Sequence, residues 1–88
     1  MDYLVDFEPA ALHQFNKLNK NLQARLKPKI DALAKNPRPH GVKKLQGYEN
    51  RYRIWVGDYR VLYEIHDNIL LVLVVDVGKR GGIYRKNK

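Results

Sequence analysis

Residues 51–65 read RYRIWVGDYRVLYEI, and their alternation decides the fold. Tyr52, Ile54 and Val56 alternate with Arg51, Arg53 and Trp55, a period of two that predicts a strand. Gly57 and Asp58 supply a two-residue reversal, and residues 59–65 return as a second strand. On that register Trp55 lies opposite Arg60 and Arg53 opposite Leu62, with opposed Cβ atoms about 5 Å apart. One face then carries Arg51, Arg53, Trp55, Arg60 and Glu64. The other carries Tyr52, Ile54, Val56, Val61, Tyr63 and Ile65, an apolar surface that requires cover. A slip of one residue would drive the arginines into the core, so register and function stand together.

Working outward, Asp67 and Asn68 mark another reversal. Residues 69–77 beyond them are apolar on both faces, which predicts a central, buried strand. Upstream, residues 3–7 form a short β-branched and aromatic segment, and Pro9 suits the first turn of a helix. Leu12, Phe15 and Leu18 recur at threes, Asn19 to Asn21 break the pattern, and Leu22, Leu26, Ile30 and Leu33 resume it. Pro28 falls inside the second helix and predicts a bend there. Asn36, Pro37 and Pro39 end the helical region, and a loop spans residues 41–47. The expected fold class is α+β: an N-terminal strand and a two-helix hairpin packed on one face of a mainly antiparallel, roughly four-stranded sheet.

The 88 residues allow a single domain, 1–88, which excludes a multidomain enzyme. With 44% of residues hydrophobic and 30% charged, the balance is that of a folding chain rather than a disordered one. There is no cysteine, so disulfides, thiolate catalysis and cysteine-based zinc sites are ruled out. The first ten residues, MDYLVDFEPA, place acids where a signal peptide carries positive charge. The longest apolar run, residues 69–75, falls far short of the roughly 20 residues that cross a bilayer as a helix. A cytoplasmic protein with no membrane contact is expected. Seventeen Lys and Arg oppose nine Asp and Glu, a net charge of +8. That field attracts polyanions, nucleic acid first, although an acidic protein partner would satisfy the same charge.

The C-terminal stretch adds Lys79, Arg80, Tyr84 and Arg85, a basic, glycine-containing segment with one ring able to stack on a base. With it the chain resembles a known family. The order strand, helical hairpin, basic antiparallel sheet, together with GDYRVLYEI at 57–65, VGKR at 77–80 and a late IY at 83–84, is similar to the RelE/ParE superfamily of toxin–antitoxin toxins, its RelE-like branch in particular. The resemblance covers nearly the whole chain. It implies a type II toxin: a ribosome-dependent endoribonuclease, an mRNA interferase, that cuts mRNA in the decoding site. It implies no metal and no cofactor. It implies two partners, the ribosome with its mRNA and a cognate antitoxin with acidic, amphipathic segments. The family's strand arginine falls on Arg60, the arginine after the last strand on Arg80 and the late tyrosine on Tyr84. Two lysines of the best-known members are replaced by Arg53 and Trp55.

Metal-free RNA cleavage needs a base for the 2′-hydroxyl proton, cations to hold the pentavalent phosphate, and an acid for the leaving 5′-oxygen. Guanidinium groups stay protonated and bind phosphate oxygens in pairs, so Arg53, Arg60 and Arg80 are clamps rather than proton carriers. Lys79 and Tyr84 remain for proton transfer, with Tyr84 favoured as the base. The expected catalytic set is Arg53, Arg60, Arg80 and Tyr84. Trp55, Arg51, Lys79 and Arg85 are expected to bind substrate, Trp55 by stacking. His13, His40 and His66 are not brought together by the predicted pairing, which argues against a paired-histidine mechanism. Asp67 and Asp76 are too scattered for a metal site. Two alternatives share the fold: a ParE-like inhibitor of DNA gyrase, and a catalytically weakened binding module.

Overall fold

The computed structural model describes residues 2–79. In chain order the elements are β1 (Leu4–Phe7), α1 (Pro9–Asn16), α2 (Lys20–Asp31), a 3-10 turn (Ala32–Ala34), β2 (Lys43–Lys44), β3 (Arg51–Val56), β4 (Tyr59–His66) and β5 (Leu71–Lys79). The strands form one sheet in the order β1-β5-β4-β3-β2. β1 runs parallel to β5, and every other pair is antiparallel. Two helices on one face of a mixed sheet give the α+β class expected.

The helices start where the local chemistry dictates. Pro9 occupies the first turn of α1, where its missing N–H costs nothing. Asn19 caps α2, its side chain accepting the Leu22 N–H at 2.9 Å. α2 continues through Pro28 and closes three residues later. Ala11, Phe15, Leu26, Ile30 and Leu33 bury their side chains against Tyr52, Ile54, Val61, Tyr63, Ile65, Val72, Val74 and Val77 of the sheet. The β3–β4 register is the one the sequence predicts, with Trp55 opposite Arg60 and Arg53 opposite Leu62. Gly57 takes a φ of +60° at the first turn position, the conformation a tight hairpin reserves for glycine.

Two expectations need correction. The sheet has five strands, because Lys43 and Lys44 pair with Arg53 and Tyr52. This short edge strand carries no apolar alternation, and its charge keeps the edge from further pairing. The last strand begins at Leu71, not at residue 69. Asp67–Ile69 form a 3-10 turn and Leu70 adopts a left-handed conformation with φ of +53°, so Ile69 stays exposed rather than buried.

A polar corner fixes the end of the sheet away from the hairpin tip. Arg38 donates to both oxygens of Asp67, at 2.9 and 3.3 Å, and the Tyr3 hydroxyl donates to the same carboxylate. The Arg38 guanidinium, and then the Tyr3 hydroxyl, hold the Asp67 carboxyl below the usual carboxylate range. The buried Tyr63 hydroxyl donates to the Pro37 carbonyl at 2.7 Å. The loop that leaves the helices is thereby tied to the strands it crosses.

Candidate functional site

The helix-free face of the sheet carries the candidate site. Because β3 and β4 meet in a fixed register, Arg53, Trp55 and Arg60 project from neighbouring positions on this face, over the buried side chain of Leu62. The Arg53 guanidinium lies 5.3 Å from the Trp55 ring, a cation–π contact that holds both groups over the strand. Lys43 stands directly beside Arg53 across the β2–β3 pair. Sequence reasoning missed it, since a two-residue strand leaves no periodic signal.

Arg60 is held from β5. Its Nη2 donates to Asp76 Oδ2 at 2.8 Å, and the Arg60 side chain is only 19% exposed. Asp76 reaches this face through a bulge. Tyr63 pairs with Val74 but Leu62 pairs with Asp76, so Val75 is the extra residue. Without it, alternation from Val74 would aim Asp76 at the core.

Arg51 is engaged differently. Its Nη2 donates to Glu64 Oε2 at 2.6 Å, directly across the strand pair, and its guanidinium lies 4.4 Å from the Tyr48 ring. The other Glu64 oxygen lies 3.0 Å from His66 Nε2. The Arg51 guanidinium foremost, and His66 after it, hold the Glu64 carboxyl below its usual range against the opposing effect of burial. Thus Arg51 spends much of its charge inside the protein, whereas Arg53 has no carboxylate partner among the described residues.

The Nε atoms of Arg51, Arg53 and Arg60 are all buried without a hydrogen-bond partner among the described residues. Buried donors left unpaired cost about 1–3 kcal/mol each.

Lys79 does not share this face. It pairs with Tyr59, one residue out of phase with Arg60 and Gly78, and lines a hollow of about 300 Å³ with Arg25 and Tyr59 on the helix side. Arg80, Tyr84 and Arg85 lie outside the described residues. Of the expected catalytic set, the structure brings together Arg53 and Arg60, with Trp55 between them and Arg51 further along the same face. These groups can grip a phosphate. No cluster of three or more metal-ligating side chains occurs among the described residues, and no described helix is long and apolar enough to cross a membrane.

A strand, a helical hairpin and a five-stranded sheet with one basic, aromatic face define a class of small α+β domains. Residues 5–84 match the ParE toxin family of type II toxin–antitoxin systems, and the chain belongs to this ParE/RelE family. It is 34% identical over 82 residues to the mRNA interferase toxin RelE of Escherichia coli, an alignment spanning 91% of this chain and 85% of the relative. Among solved structures, the archaeal RelE–RelB complex from Pyrococcus horikoshii superposes with a TM-score of 0.80 at 28% identity, covering 92% of this chain and 98% of the other. The intact E. coli RelBE toxin–antitoxin complex gives 0.78 at 33% identity, covering 88% and 95%.

Proposed function

We propose that this chain is the toxin of a type II toxin–antitoxin system that cleaves mRNA on the ribosome, an endoribonuclease needing no metal. The observation that carries this reading is the diagonal pair Arg53 and Arg60, set around Trp55 on the one sheet face the helices leave open. Kinship at 34% identity with a protein named an mRNA interferase supports it. In this mechanism Arg53 and Arg60, joined by Arg80, hold the scissile phosphate and neutralise the charge that builds as the 2′-oxygen attacks. Tyr84, as its phenolate, takes the 2′-hydroxyl proton, and the leaving 5′-oxygen takes a proton from solvent water. Trp55 stacks on a nucleotide and keeps it in line for attack. Arg51 and Arg85 contact flanking backbone, and Lys79 contributes charge from the strand end. The protein partner is an antitoxin with acidic and amphipathic segments, a reading supported by relatives solved as toxin–antitoxin complexes.

Primer extension on a translated mRNA, with ribosomes and purified protein, tests the proposal. Cuts within translated codons are expected, and Arg60→Ala should slow them by roughly 100-fold, the loss of one preorganised charge stabiliser. Intact transcripts in growth-arrested cells would overturn it. A second reading is inhibition of DNA gyrase on the same fold, in which these side chains would have no catalytic duty. Loss of supercoiling activity that survives Arg80→Ala would favour it. If expression without antitoxin is harmless, the fold serves only as a binding module.

A further inference from the structure

Arg60 ends a chain of hydrogen bonds that starts on a helix. Gln14 of α1 accepts the Val77 backbone N–H on its Oε1 at 2.9 Å, which fixes the amide's orientation. Its Nε2 then donates to Asp76 Oδ1 at 2.9 Å. The other oxygen, Asp76 Oδ2, receives Arg60 Nη2 at 2.8 Å. Each atom in the chain has one role: an amide locked by the backbone can only donate to Asp76, and only a carboxylate accepts on both oxygens at once. The Val75 bulge brings Asp76 to this face, and Gln14 reaches it from the strand edge beyond Val74, where β1 no longer pairs. All three side chains lie in partly buried surroundings, where such a network is stronger than in water.

We infer that Gln14 and Asp76 are positioning residues for the proposed cleavage, aiming the Arg60 guanidinium so that its remaining Nη donors point at the phosphate. This rests on the nuclease reading. Charge alone argues against an acid beside a phosphate site, since Asp76 repels the substrate. Its presence is explained if orientation of Arg60 gains more in the transition state than the repulsion costs in binding. A guanidinium free to rotate would present its fork to the phosphate only part of the time.

The test is single-turnover cleavage at saturating toxin, with ribosome binding measured separately. Asp76→Ala is expected to slow cleavage about tenfold or more while ribosome affinity stays equal or rises, because a negative charge has gone. Gln14→Ala, which leaves Asp76 and Arg60 in place, should slow cleavage in the same sense by a few-fold, and it carries the test if Asp76→Ala fails to fold. In an Arg60→Ala background, Asp76→Ala should add less than about a twofold change, the sign that it acts through Arg60. Wild-type rates in both single variants, or additive losses in the double variant, would overturn the inference. If the wild-type protein cleaves nothing on ribosomes, the nuclease reading itself fails. The Arg60 Nε–H resonance in NMR spectra of the free protein then reports alone: broadening in Asp76→Ala and Gln14→Ala supports the positioning role, and an unchanged signal overturns it.

Discussion

Glu64 shows how one side chain on the open face serves stability by tying two neighbours together. It joins Arg51 to His66, and the Arg51 guanidinium holds its carboxyl below the usual value near 4.5. A carboxyl whose pKa is depressed by folding stabilises the native state above its unfolded value and loses that contribution as the pH falls through the folded one. Glu64→Gln should therefore cost roughly 1–2 kcal/mol near neutrality, and the gap from wild type should close as the pH drops from 6 toward 3. Urea midpoints measured across that range check both statements; a gap that widens in acid contradicts them. The pairing of Arg51 with Glu64 was legible in the strand alternation, which set both on one face. The Gln14–Asp76–Arg60 chain was not, because it depends on a bulge at Val75 that no pattern of apolar residues marks.

Among the elements, the β3–β4 hairpin sets the geometry of everything on the open face. Gly57 meets two demands there: a φ of +60°, and the Arg25 guanidinium, whose Nη2 would lie 2.9 Å from an added Cβ. The flexible arginine can swing aside, so the backbone dominates the cost. Gly57→Ala is expected to lose about 1 kcal/mol or more, read as a lower denaturant midpoint with an unchanged slope. An unaltered midpoint would mean that the turn tolerates a side chain in this conformation. This hairpin was the most legible element, since a two-residue turn flanked by strict alternation admits one register. The start of β5 was the least legible. Residues 69–75 are all apolar, so composition extended the strand backwards, whereas the chain needs Leu70 in a left-handed turn to bring Leu71 alongside Leu4. β2 escaped because two lysines on an edge look like loop.

At the scale of the whole molecule, the sheet separates two tasks. Its helix side holds the core, and its open side gathers Lys43, Arg53, Trp55 and Arg60 at the β2–β3–β4 end. Binding to ribosomes should weaken in proportion to the number of phosphates these groups neutralise. With three or so contacts, affinity is expected to fall about tenfold or more between about 50 and 200 mM salt. A flat salt profile in a sedimentation or filter-binding assay would argue against a phosphate-tracking face.

The parallel pairing of β1 with β5 has a consequence for how the protein is made. Leu4–Phe7 leave the exit tunnel well before their partners Leu71, Val72, Leu73 and Val74. Until Val74 has emerged, the first strand has no neighbour and the helices have only part of a sheet to cover, so the nascent polypeptide cannot close its core. A message truncated before that codon is expected to yield a fragment that fails to fold, with the basic residues present but the sheet that aligns them incomplete.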